Sequence, residues 1–257
     1  MSLQEQWIAF LTILQKEIKR FTRIWIQTLL PPAITMILYF VIFGKLIGSR
    51  IGDMGGFSYI AFVAPGLIMM AVLTNSYANV SSSFFSAKFQ RSVEEILVSP
   101  TPNYIILLGY VMGGVARGMA VGLIVTLMSL FFTDLHIHNW FITTSIVLMT
   151  SILFSLAGFI NAVYANSFDD ISIVPTFILT PLTYFGGVFY SINLLPEFWQ
   201  QVSVFNPILH MVNAFRYGML GITDVHIGMA FTGLILCVVV LFAVGLHLLK
   251  TGKRLRA

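Results

Sequence analysis

Six long apolar runs constrain this chain more than any other feature of its sequence. Each run is close to or above the roughly 20 residues that a helix needs to cross about 30 Å of hydrocarbon. Only 9% of the residues are charged, against roughly 25% in soluble proteins, so the chain has too little polar surface to fold in water. The sequence predicts an all-α membrane protein, a single domain over residues 1–257 with a six-span bundle at 24–249. The predicted spans are 24–43, 59–80, 104–132, 141–165, 171–190 and 228–249.

Basic residues predict the orientation of the bundle. Six crossings place both termini on one side, and ten Lys and Arg residues lie on that side. Lys45, Arg50 and Arg216 lie on the other side. By the positive-inside rule, both termini of this multi-pass chain are cytoplasmic. The net charge of +4 is therefore interpreted as topology, with no nucleic-acid partner. The ten residues are Lys16, Lys19, Arg20, Arg23, Lys88, Arg91, Lys250, Lys253, Arg254 and Arg256.

The first 23 residues alternate apolar and charged positions, which is unlike the continuous apolar core of a cleaved signal peptide. Apolar side chains recur at steps of three or four, as on one face of a helix. The segment 1–23 is predicted to be an amphipathic helix in the cytoplasmic interface. The alternative is an amphipathic helix that packs on a partner. The apolar face would carry Trp7, Leu11, Leu14, Ile18, Phe21 and Trp25.

The longest external connection, 191–227, is itself apolar and contains two helix-start signals. These are Pro196 and the pair Asn206–Pro207, an N-cap followed by proline at the first helical position. We expect two short re-entrant helices here. Non-spanning backbone at membrane depth is tolerated where other protein covers it.

Residues typical of catalysis are sparse. No GxxxxGK[ST] phosphate loop occurs, so ATP is not bound in that manner. The single Cys237 excludes an internal disulfide and a CxxC pair. His136 and His138, with Asp134 nearby, resemble a weak metal motif but are interpreted as an ordinary loop. The chain is therefore predicted to have no catalytic residue, no metal site and no bound cofactor.

Charged residues within the predicted spans are limited to Arg117. Proton-driven carriers typically place a carboxylate or His at membrane depth, so ion-coupled transport is disfavoured. Arg117 is expected to face protein or water, because a lipid-facing arginine costs about 2.5–3.5 kcal/mol on insertion scales. It either contacts an anionic group or donates to neutral groups of neighbouring spans.

The cytoplasmic loop 81–103 is the most charged part of the chain away from its ends. Apolar residues fall roughly on one helical face, and the sequence SPTP at 99–102 stops the helix. This pattern predicts a short amphipathic helix that docks another protein. Its apolar positions are Phe85, Phe89, Val93, Ile96 and Leu97.

Polar residues on the second and fifth spans are candidates for a transport pathway, since burying them against lipid is unfavourable. Interhelical hydrogen bonding is an equal alternative. Pro175 and Pro181, followed by Gly186–Gly187, predict a fifth span that is kinked or broken near its outer end. The candidate lining residues are Asn75, Asn79, Thr180, Thr183 and Tyr184.

Several motifs in this order resemble the permease subunits of ABC exporters of the type-two class. They are RSVEEILVSP at 91–100, IILLG at 105–109, PLTYFGGVFY at 181–190, and the pairs LP at 195–196, NP at 206–207 and FR at 215–216. The resemblance covers nearly the whole chain.

The resemblance implies a homodimer in a bacterial inner membrane that works with two copies of a separate ATPase, which would hold ATP and Mg²⁺. It also implies that this chain is a transport subunit and not an enzyme, that lipid surrounds it, and that the loop 81–103 and the short connection 166–170 contact the ATPase. Two alternatives remain, an ion-coupled secondary carrier and a lipid-modifying membrane enzyme. The implied ATPase-coupling residues are Phe89, Arg91, Glu94, Glu95, Leu97, Asp169 and Asp170.

Overall fold

The computed structural model describes residues 1–252, apart from the side chains of Lys45 and Ser49. Its α-helices are α1 Leu3–Arg23, α2 Trp25–Thr28, α3 Leu30–Tyr39, α4 Gly48–Ile51, α5 Tyr59–Phe89, α6 Ser92–Val98, α7 Asn103–Ser129, α8 Trp140–Tyr164, α9 Phe168–Val174, α10 Thr180–Tyr184, α11 Glu197–Val204, α12 Pro207–Leu220 and α13 Ile227–Thr251. Two π-helical segments (Phe40–Ile47 and Pro175–Leu179), a 3₁₀ turn (Ile192–Leu194) and a small antiparallel hairpin of β1 Asp53–Met54 and β2 Phe57–Ser58 complete it. Three basic residues used for the orientation, Lys253, Arg254 and Arg256, lie outside the described residues.

Five helices in residues 1–252 are long and apolar enough to cross a membrane. They are Trp25–Gly44, Tyr59–Phe89, Asn103–Ser129, Trp140–Tyr164 and Ile227–Thr251. They match five of the predicted spans. The predicted fifth span, 171–190, is helical only as far as Tyr184 and contains the π-helical turn Pro175–Leu179. The prolines and glycines therefore interrupt this segment as expected, and the structure shows five spanning candidates where the sequence predicted six.

Helix α5 forms the centre of the bundle. It packs mainly on α7 and α8 and is the most buried of the five long helices. Gly114 and Gly118 of α7 face it so closely that a Cβ at Gly118 would overlap the Ser76 hydroxyl. Small residues let membrane helices approach in this way. The glycine stripe of α7 therefore serves packing.

The connections fall at two opposite ends of the bundle. At one end, a single apolar cluster joins Ile13 of α1, Phe84 of α5, Val93 of α6, Val163 of α8 and Leu248 of α13. The hairpin, the 3₁₀ turn and helices α11 and α12 belong to the other end. This arrangement groups the segments that the basic residues predict to be cytoplasmic, and we call the first end the cytoplasmic end.

The predicted N-terminal helix is confirmed as α1, which begins with a capping box of Ser2 and Glu5. Part of the predicted apolar face packs on the bundle, since Phe21 is buried, whereas Trp7 is 60% exposed. Ile13 and Glu17, which lie outside that face, also pack, against Gly109 and Gly113 of α7. The glycines allow this additional contact, because they let α1 approach α7 closely.

The two short helices predicted in 191–227 are present as α11 and α12. Asn206 caps α12 by accepting a hydrogen bond from the Ile208 N–H, with Pro207 at the first helical position. Arg216 of α12 is fully buried and donates to the Gly187 carbonyl at 2.7 Å and the Phe62 carbonyl at 3.2 Å. Arg216 thus joins α12 to α5 and to the turn that follows α10.

Candidate functional site

The cytoplasmic loop begins later than the sequence predicted, because α5 continues past residue 80 to Phe89. A sharp break follows at Arg91, which adopts the left-handed backbone conformation with φ 61°. Among the described residues, Arg91 is the non-glycine residue with positive φ, a conformation that costs an L-residue about 1–2 kcal/mol. Helix α6 starts directly after it. The break fixes the direction in which α6 leaves α5.

Helix α6 turns much of its apolar face inward. Val93 is buried, and Ile96 and Leu97 pack partly against the same cytoplasmic cluster. Phe89 and Val98 remain 64% and 86% exposed. Most of the predicted docking face therefore attaches α6 to the bundle.

The charged residues of the loop differ in how exposed they are. Arg91 and Glu95 are exposed, whereas Glu94 is half-buried. Leu97 is also half-buried, so of the implied coupling residues on this loop Phe89, Arg91 and Glu95 are the accessible ones.

The second cytoplasmic connection, 166–170, lies beside the first. The ring of Phe168 packs on Phe85 at 4.9 Å and on Phe89 at 5.3 Å between centroids. Phe168 is itself exposed, as is Asp169. Phe89 and Phe168 are in contact, and Arg91, Glu95 and Val98 are exposed on the connection that follows Phe89; we call these five residues the coupling surface.

Asp170 has a structural role at the start of α9. Its carboxylate accepts hydrogen bonds from the Asn166 backbone N–H at 2.8 Å and from the Ser167 hydroxyl at 2.8 Å. These bonds, the Asn166 one foremost, lower the pKa of Asp170 below its usual value. The carboxylate therefore stays ionised at neutral pH and holds the turn between α8 and α9.

A cavity of about 150 Å³ lies between α5 and the interrupted fifth segment. Thr180, Thr183 and Tyr184 line it, facing Thr74 and Tyr77 of α5. Thr74 is exposed although most of its helix is buried. Three of the five predicted pathway residues are thus brought together.

The other two predicted pathway residues face a different neighbour. Asn75 Oδ1 accepts a hydrogen bond from Arg117 Nη2 at 3.1 Å, and Asn79 Oδ1 accepts one from Arg20 Nη2 at 2.9 Å. Both asparagines are buried. They join α5 to α7 and α1 and do not line the cavity.

Arg117 has neutral partners. Besides Asn75, its Nη2 donates to the Thr28 carbonyl at 3.3 Å. The guanidinium thus lies among α2, α5 and α7, facing protein. This matches the sequence, which offers no acidic residue within the predicted spans.

Glu17 is a buried polar residue that the sequence did not reveal. Its side chain on α1 is inaccessible to solvent, and its carboxylate accepts a hydrogen bond from the Ser83 hydroxyl at 2.6 Å. Arg20 Nε lies 3.5 Å from the same carboxylate. No sequence pattern indicates this burial, because Glu17 packs beside Ile13 only where the glycines of α7 let the two helices approach.

The loop with His136 and His138 is part of the packing at the other end. The His138 ring meets Tyr217 edge to face at 5.6 Å, and its backbone N–H donates to the Met219 carbonyl. Within residues 1–252, no three His, Cys, Asp or Glu side chains are grouped so that they could hold a metal ion.

Long apolar helices, a cavity between α5 and the interrupted fifth segment, and a structured patch at one end are features expected of a membrane permease. Residues 8–220 match the ABC-2 type transporter family, and the chain belongs to that family. This confirms the resemblance seen in the sequence. Permeases of the family normally pair with an ATPase subunit.

Two relatives illustrate the range of similarity. The chain is 58% identical over 251 residues to the inner membrane transport permease YadH of Escherichia coli strain K12, with 98% of each chain covered. It is 25% identical over 218 residues to nodulation protein J of Rhizobium meliloti strain 1021, covering 83% of this chain and 82% of that one.

Proposed function

We propose that this chain is the membrane subunit of an ATP-driven exporter. In this proposal it works as a homodimer in the bacterial inner membrane, with six crossings per chain and both termini in the cytoplasm. Two copies of a separate ATPase hydrolyse Mg-ATP, and an unidentified substrate moves outward. The coupling surface is the observation that carries the proposal.

The coupling surface has the composition of a protein contact. It combines exposed aromatic and aliphatic groups, Phe89, Phe168 and Val98, with the charges of Arg91 and Glu95. Aromatic residues and arginine are enriched in protein interfaces. In a lipid-facing position these charges would be unfavourable, so we place the patch in water, facing the ATPase.

The interrupted fifth segment supports the sixth crossing that we propose. Helices α9 and α10 with the π-helical turn run as one path from the cytoplasmic end, where Phe168 meets Phe89, to the Gly187 turn, where Arg216 binds. This path connects the two ends of the bundle although it is shorter than the other spans. The cavity beside it, lined by Thr74 and Thr183, is our candidate for part of the pathway.

A second copy of the chain would complete this pathway. The fifth segment exposes Phe177, Ile178 and Phe185, and the first span is also poorly buried within one chain. Burial of such faces against an identical chain would enclose the cavity between two protomers. Lipid would cover the faces that remain.

The experiment measures the ATPase that is retained by the tagged permease when it is purified from its own cells. The retained subunit is recognised by a phosphate loop in its sequence. In the variant Glu95→Lys, which reverses an exposed charge of the coupling surface, we expect retention to fall at least about tenfold, because reversed charges at an interface cost several kcal/mol. Glu197→Lys, an exposed change at the other end of the bundle, is the matched control.

Two results would contradict the proposal. One is a wild-type permease that retains no ATPase and transports in vesicles on an ion gradient alone, which would favour a secondary carrier. The other is equal retention by the charge-reversed variant and the Glu197→Lys control, which would remove the coupling surface from its role. Insertion is checked in each case by recovery of the chain in the membrane fraction, and folding by gel filtration of the purified chain.

A further inference from the structure

Lys88 directly links the end of α5, which leads into α6, to the end of α8, which leads into the turn 166–170. It lies in the last turn of α5, just before the break at Arg91 that leads into α6. Its ammonium group donates hydrogen bonds to the Val163 carbonyl at 2.7 Å and to the Ala165 carbonyl at 2.8 Å. Both acceptors belong to the C-terminal end of α8.

The end of α8 is a suitable site for a cation. The last carbonyls of a helix have no partner within the helix, and this end carries the negative pole of the helix dipole. Lysine commonly satisfies such carbonyls from its own helix. Here the lysine comes from α5, so the same bonds also hold two helices together.

Other contacts extend this attachment to α9. The Asn161 side-chain amide of α8 donates to the Ile171 carbonyl at 3.1 Å, and Asp170 caps the start of α9 through Ser167. Phe168 packs on Phe85 and Phe89 of α5. The end of α5, the end of α8 and the start of α9 therefore form one packed block, with Lys88 as its polar tie.

We infer that Lys88 is a positioning residue that makes the two cytoplasmic connections move as one unit. A displacement of α6 is then passed to α8 through Lys88 as well as to α5 through the chain. The tie itself is independent of what binds the surface. Its consequence for ATP turnover rests on the proposed function.

The first test uses the permease alone and needs no ATPase. With Cys237 replaced by serine, spin labels at Gln90→Cys and Asn166→Cys report the distance between the two connections. Both positions are exposed. We expect a narrow distance distribution with Lys88 and with Lys88→Arg, which retains several donors. With Lys88→Met the distribution should become at least about twice as wide, because the charge-assisted bonds are lost.

Hydrogen exchange gives a second measure in the same proteins. Loss of the two bonds should accelerate exchange of the amides at 164–167 about tenfold, since local opening there becomes easier. Lys19→Met, an exposed change on α1, is the matched control. Lys88→Gln replaces Lys88→Met if the latter does not fold. A Lys88→Met protein that matches the Lys19→Met control in both measurements overturns the tie.

The last test asks whether the tie matters for turnover in the co-purified complex. We expect Lys88→Met to retain as much ATPase as the wild type, with ATP turnover changed at least about threefold and restored by Lys88→Arg. Unchanged turnover in a protein whose distances have broadened would overturn the transmitting role. A wild-type permease that retains no ATPase would refute the proposed function, while the distance measurement would still decide the tie.

Discussion

The Glu17 carboxylate accepts a hydrogen bond from the Ser83 hydroxyl at 2.6 Å, across 66 positions of sequence. Glu17 belongs to α1, and Ser83 lies on α5 between the packed centre of the bundle and the coupling surface. Arg20, one turn after Glu17, donates to the Asn79 side chain and carbonyl at 2.9 and 2.8 Å. The N-terminal helix is therefore attached to the part of α5 that leads to α6.

Replacing Glu17 should loosen this attachment. In Glu17→Leu the buried Ser83 hydroxyl loses its acceptor, and Arg20 loses a charge partner 3.5 Å away but keeps its hydrogen bonds to Asn79. We expect the free energy of unfolding to fall by about 2 kcal/mol. Glu17→Gln retains an acceptor oxygen and should lose less than half as much. Thermal unfolding of the purified chain measures both, with the exposed Gln15→Leu as the control. Equal melting temperatures for Glu17→Leu and Gln15→Leu would contradict the interpretation.

Backbone strain at Arg91 predicts that one substitution there, Arg91→Gly, does not lower stability. Glycine adopts positive φ without steric penalty, so Arg91→Gly should leave stability unchanged or raise it by up to about 1 kcal/mol. Arg91→Val should lower stability, because a β-branched residue is strongly disfavoured at positive φ. Melting temperatures of the two variants test this order. An Arg91→Gly protein less stable than Arg91→Val would show that the side chain, and not the backbone, governs the break.

Hydrophobic runs predicted most of this fold because a helix in lipid must satisfy its own backbone hydrogen bonds. Prolines and glycines likewise predicted the interruption of the fifth segment and the starts of α11 and α12. The end of the second span was placed at residue 80, nine residues early, because Ser81–Ser83 and Lys88 look like a loop in sequence. In the structure these residues find buried partners, which helical periodicity cannot show.

The candidate site was less predictable than the fold. Thr180, Thr183 and Tyr184 do lie together along one cavity, and their role in a transport pathway stays a prediction. Asn75 and Asn79 were predicted to line the same pathway. They lie on another face of α5, where they accept hydrogen bonds from Arg117 and Arg20. These hydrogen bonds depend on how α1 and α7 pack against α5, and the local sequence pattern does not predict that packing.

Acidification should weaken the turn between α8 and α9. The pKa of Asp170 is lowered in the folded chain, chiefly by the Asn166 N–H. The ionised carboxylate therefore stabilises the fold at pH values above its unfolded pKa of about 3.9, and this contribution is lost as the pH falls through the lower folded value. The difference in melting temperature between wild type and Asp170→Ala should be constant at neutral pH and shrink below about pH 4. A difference that is independent of pH down to the folded pKa would contradict this.

The π-helical turn before Pro181 should set the shape of the cavity. Pro181 lacks a backbone N–H and its ring crowds the preceding turn, while the Thr180 hydroxyl donates to the Pro175 carbonyl at 2.9 Å. Pro181→Ala should allow a regular α-helix there and rotate Thr183 and Tyr184 relative to α5. We expect ATP turnover of the complex to change several-fold while the free energy of unfolding changes by less than about 1 kcal/mol. Parallel losses of folded protein and turnover would point to a purely structural proline.

Arg117 provides the most demanding prediction, because it is the charged residue that lies within a predicted span. Its Nη2 joins the Thr28 carbonyl to Asn75 Oδ1, so Arg117→Leu removes the bridge among α2, α5 and α7 and leaves a buried acceptor on Asn75 without its donor. An unsatisfied buried polar group costs about 1–3 kcal/mol. The same change also removes a charge whose insertion into lipid would cost about 2.5–3.5 kcal/mol, and the two effects have opposite signs.

The direction in which Arg117→Leu changes the melting temperature therefore decides whether Arg117 faces protein or lipid. If the arginine faces protein, Arg117→Leu should lower the melting temperature and alter ATP turnover of the complex, whereas Met119→Leu, an exposed change on the same helix, should do neither. If the arginine faces lipid, Arg117→Leu should insert better and turn over ATP normally at matched expression. Arg117→Gln separates charge from hydrogen bonding, because its amide still donates to one of the two oxygens. If Arg117→Gln is as stable as the wild type while Arg117→Leu is not, the hydrogen bonds and not the charge explain why an arginine is tolerated at this depth.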